Sequence, residues 1–519
     1  IGYPVMIKAS AGGGGKGMRI AWDKSEVRDG FDRARSEAKN SFGDDRVFIE
    51  KFVVDPRHIE IQVLADAHGN AIYLGERECS IQRRNQKVVE EAPSPFLDEK
   101  TRRAMGEQAV ALAKAVDYQS AGTVEFIVDK DRNFYFLEMN TRLQVEHPVT
   151  ELVTSVDLVE QMIRVAAGER LAISQQDVKL TGWAVESRLY AEDPYRNFLP
   201  SIGRLTRYRP PEEGRFGEIV VRNDTGVTEG SEISMFYDPM IAKLCTWAPT
   251  RIAAIDAMSE ALDEFVVDGI EHNLPFLSAL MRHPRWREGR LSTGFIAEEY
   301  PDGFSPATPD DGEKRTLAAI ATAIELLRRD RLDRLSGRLA PHSGAVKAEW
   351  EVRIGEDYIP VAIREGMVSV PMELDLEIGG ETLTLASEWR PGDAVWRGSV
   401  GDERVSAQVR PAGNGLRIAW KGLSVTARAM LPRTAALDRL MPIKLPPDTS
   451  KFLLCPMPGL VVSVAVTTGQ EVKAGETLAV VEAMKMENVL RAERDLTIAK
   501  INAKPGDSLA VDAVIMEFA

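Results

Sequence analysis

The chain has 519 residues, a mass of 57.4 kDa and a formal net charge of −14 at pH 7. This length exceeds what one hydrophobic core supports, so we expect about two to four domains. The acidic balance argues against nucleic-acid binding, because phosphate backbones require a basic face. No apolar run approaches the roughly 20 residues that span a bilayer, so we expect no membrane-spanning segment in this sequence.

Cysteine usage bears on the compartment. The 3 cysteines, Cys79, Cys245 and Cys455, are far apart and lack CxxC spacing. We therefore expect unpaired thiols, no structural zinc site, and a reducing compartment, the bacterial cytoplasm or the mitochondrial matrix, with no secretion. Residues 1–7 have the pattern of the middle of a domain, so we expect further chain upstream of Ile1.

Patterning along the chain predicts a large N-terminal unit at residues 1–304. It mixes strands and helices, including an alternating strand at 58–64 and a helical run at 101–116. A stretch rich in Pro, Gly and Asp at 300–312 indicates where this unit ends.

A middle unit is predicted at residues 305–445. It begins with an amphipathic helix, because apolar residues recur on one helical face at Leu317, Ile320, Ile324 and Leu327. Short β-prone runs separated by Gly and Pro turns follow at 349–430, as in a small antiparallel barrel or sandwich. The Pro-rich segment 441–447 has the composition of a linker of limited flexibility.

The C-terminal unit, residues 452–519, contains an internal repeat. Residues 469–474 correspond to residues 506–511, and a strand pattern follows each. Two similar β-units of this size predict a small all-β sandwich with quasi-twofold symmetry. Between them, a predicted hairpin at 482–488 carries Lys485 between two methionines.

Lys485 is the sharpest functional signal. Most lysines in turns are plain surface residues, but methionines on both sides are unexpected in a solvated turn. The runs 483–486 (Ala-Met-Lys-Met) and 456–459 (Pro-Met-Pro-Gly) resemble those of biotin-carrier domains, and Lys485 falls on the position that this family biotinylates. Lipoyl domains resemble this unit in fold, but their lysine usually sits beside Asp and not between methionines. The resemblance therefore favours covalent biotin, whose arm serves two separate active sites.

A glycine-rich run occupies residues 8–18, between two β-prone runs. It is not a P-loop, because no Ser or Thr follows its lysine and a strand pattern follows in place of a helix. Flexible linkers have similar composition. A glycine hairpin between strands can nevertheless fold over a polyphosphate, because its backbone N–H groups approach closely.

A predicted hairpin at residues 123–140 carries a candidate metal site. Strand alternation places Glu138, Asn140 and Arg142 on one face, which Glu125 on the partner strand can share. Two carboxylates and an amide oxygen suit Mg²⁺ (or Mn²⁺) beside nucleotide phosphates. The alternative is a charged, solvated sheet face, but apolar alternation on the other side favours a strand buried under a site.

Together with the run 138–151, these features resemble the biotin carboxylase domain of the ATP-grasp superfamily across residues 1–304. Roles carry over only at matching positions. The resemblance implies ATP binding by Lys8, Gly13, Gly14, Gly15, Glu50, Lys51, His58 and Gln82, and metal binding by Glu125, Glu138 and Asn140. It implies bicarbonate binding by Arg142, Gln144 and Val145, and catalysis by Lys87, Arg142, Glu146 and Arg188.

The resemblance also implies the chemistry. Glu146 matches the base that deprotonates bicarbonate, and Arg188 matches the residue that stabilises the biotin enolate. Bicarbonate attacks the γ-phosphate of ATP, and the carboxyl group then passes to biotin. Asn85 stands where some family members have His. Because Asn cannot titrate, no proton-transfer role is assigned there.

The second half-reaction requires another catalyst, because residues 305–450 are too few for a barrel of about 250 residues. The middle unit resembles the segment that docks a carboxyltransferase beta subunit in acyl-CoA carboxylases, although its helix is also compatible with ordinary packing. We therefore expect a multidomain α+β chain in a hetero-oligomer. Its parts are an ATP-grasp biotin carboxylase region, a helix plus antiparallel β-barrel docking domain, and a flattened biotinyl sandwich.

The expected activity is that of a ligase that carboxylates its own biotin and carries carboxybiotin to a partner, which binds the acyl-CoA. The resemblance favours the biotin-bearing (alpha) subunits of the propionyl-CoA type, which produce methylmalonyl-CoA in propionate catabolism. The 3-methylcrotonyl-CoA type is the alternative, and an inert biotin carrier or assembly subunit is the alternative of another class. A biotin-protein ligase is the remaining expected partner, with no nucleic acid and no membrane.

Overall fold

The structure is a computed structural model that describes residues 1–11, 18–337, 348–442, 449–483 and 486–519. Among these residues, no helix is both long enough and apolar enough to cross a membrane. The cysteines Cys79, Cys245 and Cys455 carry free thiols, and the structure buries all three.

A small α/β layer forms the N-terminus. Apolar residues alternate along its central strand, and Ile7 is fully buried against the helix. Asp23 caps this helix by accepting hydrogen bonds from the N–H groups of Ser25 and Glu26. The sheet has the antiparallel order β2-β1-β3. The elements are β1 (Val5–Ala9), β2 (Met18–Ala21), α1 (Lys24–Phe42) and β3 (Val47–Lys51).

The centre of the carboxylase-like region is one antiparallel sheet, with the order β14-β15-β17-β9-β6-β5-β4-β7-β8 among the described residues. The predicted strand at 58–64, helix at 101–116 and hairpin at 123–140 lie in it or on it. The strands are β4 (Arg57–Ala65), β5 (Ala71–Arg83), β6 (Gln86–Ala92), β7 (Ser120–Val128), β8 (Phe134–Asn140), β9 (Trp183–Tyr190), β14 (Gly214–Phe216), β15 (Ile219–Thr225) and β17 (Met240–Ala248).

Helices and short strands cover this sheet. The helices are α2 (Glu99–Ala115), α3 (His147–Thr154), α4 (Leu158–Ala166), α5 (Arg251–Glu264), α6 (Leu274–Arg282), α7 (Pro284–Arg287) and α8 (Phe295–Glu299), with a 3₁₀ turn at Pro194–Arg196. The short strands are β10 (Glu192–Asp193), β11 (Leu199–Pro200), β12 (Gly203–Arg204), β13 (Arg207–Arg209), β16 (Glu232–Ile233) and β18 (Val266–Asp268).

The middle unit is a closed antiparallel barrel in which β26 pairs back onto β19. Its long helix, α9 (Asp311–Asp333), packs against the barrel strands, and almost every residue from Thr316 to Leu327 is buried. The sequence predicts one apolar face, whereas the structure buries the helix on nearly all sides, because small alanines fill the positions between the large apolar residues. The barrel strands are β19 (Glu349–Ile354), β20 (Asp357–Met367), β21 (Met372–Ile378), β22 (Glu381–Ser387), β23 (Val395–Val400), β24 (Glu403–Ala412), β25 (Gly415–Trp420) and β26 (Leu423–Met430), followed by α10 (Pro432–Asp438).

The barrel is joined to the carboxylase-like region by charged and backbone contacts. Glu264 at the end of α5 accepts from Arg397 at 3.0 Å, and Asp268 pairs with Arg410 at 2.8 Å. Asp263 is buried in this interface, where its Oδ1 accepts the backbone N–H of Lys421 at 2.8 Å.

The C-terminal unit consists of two sheets, with the orders β27-β34-β32-β29 and β31-β30-β28-β33. The repeat predicted from sequence is visible in the strand pairing, because β29 and β33 occupy equivalent edges of the two sheets. Gly469 and Gly506 precede them with φ values of +85° and +90°. The strands are β27 (Phe452–Leu454), β28 (Gly459–Val464), β29 (Glu471–Val472), β30 (Thr477–Ala483), β31 (Met486–Arg491), β32 (Leu496–Ile501), β33 (Ser508–Leu509) and β34 (Val514–Phe518).

Replacement of Ile320 tests the buried helix. Ile320 is fully buried inside the barrel, so Ile320→Ala removes packed methylenes and leaves a cavity. We expect the free energy of unfolding of the barrel to fall by about 2 to 5 kcal/mol in chemical denaturation. Ile163→Ala in α4, at a position that is 66% exposed, is the matched control and should change little. Equal effects of the two substitutions would contradict the buried position of Ile320.

Asp263 makes the stability of the interface depend on pH. Burial raises the pKa of this carboxyl from its ordinary 3.8 to about 8. Between these pH values the folded chain retains a proton that the unfolded chain loses, so stability falls as pH rises, by up to about 1.4 kcal/mol per pH unit. Asp263→Asn should reduce this slope between pH 6 and pH 8 in unfolding measurements. Asp256→Asn, at an exposed position of α5, should leave the slope unchanged.

Candidate active site

A buried row of alternating charges crosses the centre of the large sheet. In order, its members are Arg77, Glu60, Lys87, Glu146, Arg188 and Glu90, and each contacts the next. Arg77 Nε lies 2.6 Å from Glu60, and Lys87 Nζ lies 2.6 Å from the other oxygen of Glu60. Lys87 also donates to Glu146, whose second oxygen accepts from Arg188 Nη2 at 2.9 Å.

Strand register positions this row. Arg77 on β5 lies opposite Glu60 on β4, which lies opposite Glu125 on β7. Cross-strand neighbours project from the same face, so the three side chains meet beneath the site. Glu146 directly precedes α3, which packs over the sheet and holds the carboxylate between Lys87 and Arg188.

The charges of the row are maintained by their partners. Burial alone would raise the pKa of Glu60, but the charges of Arg77 and Lys87 outweigh it and lower the pKa to about 2. Burial opposes the charge of Lys87, yet the surrounding anionic groups raise its pKa well above the ordinary range. The same competition raises the pKa of Arg188, with Glu90 as its first anionic partner. Glu60, Lys87 and Arg188 are therefore ionised at neutral pH.

The predicted metal residues lie beside this row. Glu125 and Glu138 are directly opposite each other on β7 and β8, and so share a face as the alternation predicts. Glu125 is buried and contacts His58, Lys87 and Gln144 at 3.0 to 3.2 Å, whereas Glu138 is exposed. Burial opposes the ionisation of Glu125, but His58 and Lys87 outweigh this effect and lower the pKa of Glu125 to about 2. The Nδ2 atom of Asn140 is buried without a hydrogen-bond partner among the described residues. The two carboxylates fit a cation that also carries nucleotide phosphates, whereas the unpaired N–H group of Asn140 is a donor and suits an anionic oxygen, not the cation.

The predicted bicarbonate residues are brought together. Arg142 Nη1 donates to Gln144 Oε1 at 2.7 Å, and Gln144 Nε2 donates to Glu125 at 3.1 Å. The carbonyl of Val145 accepts from Lys243 Nζ at 2.6 Å. These contacts join the loop before α3 to both halves of the sheet.

The predicted nucleotide residues fall into two groups. His58 and Gln82 contact each other at 2.8 Å next to Glu125. Lys8 and Glu50 form an ion pair on the small N-terminal sheet, where Lys51 donates to the carbonyl of Tyr3. Among the described residues, no hydrogen bond or ion pair joins this second group to Lys87. Gly13, Gly14 and Gly15 lie outside the described residues.

Asn85 has a backbone role. Arg84 and Asn85 form the turn between β5 and β6 with φ values of 51° and 63°. Asn tolerates this left-handed conformation better than most residues, and two such residues suit a tight hairpin. Asn85, which stands where some family members have His, therefore occupies a position in the turn between β5 and β6.

Sequence reasoning missed several residues of the site: Glu60, Arg77, Glu90, Glu186 and Lys243. Glu60 had a visible signal, because His58, Glu60 and Gln62 alternate on one face of the strand at 58–64, all of them buried. For the others, the partners are far away in sequence, as for Arg188 and Glu90, 98 residues apart. No local pattern marks such pairs.

Four family models match successive parts of the chain. Residues 1–174 match the ATP-binding domain of the carbamoyl-phosphate synthase L chain, and residues 186–298 match the biotin carboxylase C-terminal domain. Residues 317–444 match the propionyl-coenzyme A carboxylase BT domain, and residues 452–518 match the family of biotin-requiring enzymes. The propionyl-CoA carboxylase alpha chain of Ruegeria pomeroyi is 63% identical over 533 aligned positions, which cover all of this chain and 78% of that relative.

The chain belongs to the propionyl-CoA carboxylase alpha-chain family. The mitochondrial methylcrotonoyl-CoA carboxylase subunit alpha of Rattus norvegicus is 40% identical over all of this chain and 72% of its own length. The higher identity within the propionyl-CoA carboxylase family separates the two predicted types in favour of the first. Relatives thus include bacterial and mitochondrial proteins.

A solved structure supports the carboxylase region. It is the biotin carboxylase domain dimer of Hydrogenobacter thermophilus 2-oxoglutarate carboxylase, in complex with MgADP, ADP and bicarbonate. The similarity has a TM-score of 0.55 and 48% identity, and covers 59% of this chain and 67% of that one. The predictions of the fold class, of a ligase, and of ATP and covalent biotin as its cofactors are confirmed at the family level.

In this alpha-chain family member, the predicted biotinylation residue, Lys485, and the preceding Met484 lie outside the described residues. The strands β30 and β31 are paired up to Ala483 and Met486, immediately before and after them.

The alternating charges predict a cost for removing one member. Arg77 is fully buried and donates to Glu60, Gln62, Thr123 and Thr150. Arg77→Met leaves these acceptors unsatisfied and should lower the free energy of unfolding by about 3 to 5 kcal/mol. The control is Arg33→Met, which breaks the exposed pair with Asp29 and should cost less than about 1 kcal/mol. A small effect of Arg77→Met in denaturation would show that the row does not support the sheet.

Proposed function

We propose that this chain carboxylates biotin on Lys485 with ATP and bicarbonate, and that a separate carboxyltransferase beta subunit then carboxylates propionyl-CoA to methylmalonyl-CoA. The observation that carries the proposal is the carboxylate of Glu146 held between Lys87 and Arg188, next to the Arg142 and Gln144 pair. In the net reaction the carboxyl group of bicarbonate ends on a biotin nitrogen. One bicarbonate oxygen ends in phosphate, and ADP and the displaced proton leave.

The chain's own residues supply positioning and charge. Arg142, Gln144 and the backbone of Val145 hold bicarbonate, since a guanidinium fork fits a planar oxyanion. Glu146 accepts the bicarbonate proton on a carboxylate oxygen. Lys87 and Lys8 offset the negative charge that spreads over the phosphoryl oxygens, which is the main requirement of phosphoryl transfer.

The cofactor assignments follow the same proposal. Glu125, Glu138 and Asn140 hold Mg²⁺ or Mn²⁺, which supplies charge neutralisation at the nucleotide phosphates. Biotin supplies a carrier for the carboxyl group. The ATP-binding residues in the proposal are Lys8, Gly13, Gly14, Gly15, Glu50, Lys51, His58 and Gln82.

The barrel region docks the beta subunit in this proposal. Its supporting observations are the match of residues 317–444 to the BT domain and the filled barrel interior, which leaves the outer surface for partners. We retain 1–304, 305–445 and 452–519 as proposed domain limits, and propose a biotin-protein ligase as the partner that loads Lys485. The bacterial cytoplasm or the mitochondrial matrix is the proposed compartment.

The deciding experiment measures ATP-dependent fixation of labelled bicarbonate by the full subunit, co-expressed with its companion transferase. Propionyl-, acetyl- and 3-methylcrotonyl-CoA are the acceptors, and Lys485→Ala is the control. We expect the strongest labelling with propionyl-CoA and at least a hundredfold loss in the variant, because the carrier is absent.

Each other outcome has a definite meaning. A preference for the branched acyl-CoA transfers the assignment to the methylcrotonyl type. Absence of ATP-dependent labelling in a biotinylated wild-type complex indicates an inert carrier. Labelling that survives Lys485→Ala contradicts the biotin carrier itself.

A further inference from the structure

Arg188 has a carboxylate on each side of its guanidinium. Its Nε donates to Glu90 Oε1 at 2.6 Å, and its Nη2 lies 2.5 Å from the same oxygen and 2.9 Å from Glu146 Oε2. Glu146 is the base in the proposed function, but Glu90 has no role in it. Glu90 sits on β6, behind the guanidinium and fully buried.

A second buried carboxyl lies next to Glu90. Glu186 on β9 is directly opposite Glu90, and Cys245 on β17 is opposite Glu186. The Glu186 side chain contacts the thiol of Cys245 at 3.4 Å, and its Oε1 has no hydrogen-bond partner among the described residues. Of these two carboxyls, Glu90 is hydrogen-bonded to the guanidinium of Arg188, whereas Glu186 is not.

Two adjacent buried carboxyls with one guanidinium do not both ionise readily. Burial raises the pKa of Glu90 to about 7, against the opposing effect of Arg188, and burial raises that of Glu186 to about 8. Near neutrality the pair therefore holds about one proton. Its geometry favours the charge on Glu90, which faces Arg188, and the proton on Glu186, which faces a thiol.

The other charged and titratable groups around the pair come from each neighbouring element. They are Cys79 on β5, Lys87 on β6, Tyr190 on β9, Lys243 on β17 and Glu146 before α3. Lys87 and Lys243 favour ionisation of the pair, whereas Glu146 opposes it.

We propose that Glu90 is a positioning residue that holds the Arg188 guanidinium in the orientation needed for carboxyl transfer to biotin. This inference rests on the proposed function. Arg side chains have large rotamer freedom, and the contacts of Glu90 with Nε and Nη2 fix the plane of the guanidinium. With these contacts in place, Arg188 contacts Glu146 only through Nη2, which Glu90 shares. Without them, the guanidinium is free to turn both nitrogens onto Glu146 and to neutralise the base.

The experiment compares Glu90→Gln with Glu91→Gln in the biotinylated subunit. Glu91 is a matched control, because it is one residue along β6, is fully buried and is paired with Arg251 at 2.6 Å. Two half-reactions are measured separately: ATP cleavage in the presence of bicarbonate, and transfer of labelled carboxyl to the biotin of Lys485.

Glu90→Gln should lose about 10- to 100-fold in carboxyl transfer, the usual effect of losing a group that orients an active side chain. ATP cleavage should fall by less than about threefold, because the nucleotide and metal residues keep their contacts. Glu91→Gln should not change the ratio of the two rates. Glu90→Asp, which restores the charge at a shorter reach, should recover part of the transfer rate.

A pH profile gives a readout that a merely structural role would not move. In the wild type, the ratio of transfer to cleavage should fall as pH drops below about 7 and Glu90 is protonated. In Glu90→Gln this fall should disappear. Independently of turnover, ¹³C NMR of glutamate carboxyls in unbiotinylated Lys485→Ala protein should show two carboxyls that titrate near neutrality, and Glu90→Gln should remove one of the two signals.

The proposal is overturned if Glu90→Gln transfers carboxyl as the wild type does, or if both half-reactions and the Glu91→Gln control fall together. If Glu90→Gln does not fold, Glu90→Asp and the NMR titration of the wild-type carboxyls carry the test. A wild type without bicarbonate-dependent ATP cleavage would contradict the proposed function, which distinguishes that failure from failure of the role of Glu90.

Discussion

The six alternating charges from Arg77 to Glu90 are the constraint on which the centre of the molecule depends. Single buried ions are expensive, and a buried pair gains only when geometry and hydrogen bonding are good. Here each inner member has an opposite charge on both sides, and the row as a whole carries no net charge. The row can therefore lie beneath a site without an external counterion, and the charged side chains are already oriented.

The same row explains why a central strand is polar on one face and yet fully buried. β4 has the pattern of a strand with one solvated face, but each of its residues from Arg57 to Ala65 is buried. The face bearing His58, Glu60 and Gln62 is covered by the site, and the face bearing Ile59, Ile61 and Val63 by α2. The alternating pattern predicts the strand correctly. Whether its polar face is solvated or buried depends on which parts of the fold cover that face.

Features with local causes were predictable from sequence. The turn at 129–133, the helix near 101–116 and the repeat at 469 and 506 each depend on neighbouring residues, and the structure contains all three. The pairing of Arg188 with Glu90 depends instead on a sheet in which β6 and β9 are neighbours, and no spacing reveals that order. The helix at 311–333 shows the same limit, because an amphipathic pattern does not reveal that a barrel closes around it. The roles that the resemblance assigns to the site residues all stay predictions, and Lys485 and Gly13–Gly15 also lie outside the described ranges.

Glu90 and Glu91 are consecutive on β6, so their side chains project from opposite faces of the sheet. Glu90 is paired with Arg188 on one face, and Glu91 is paired with Arg251 on the other. A slip of one residue in this strand would exchange the two faces and detach both carboxylates from their arginines at once. Ion pairs on both faces of β6 thus fix its pairing register with the neighbouring strands. An insertion or deletion between 86 and 92 should consequently be rare across the history of this family, although length changes in solvated loops are ordinarily tolerated.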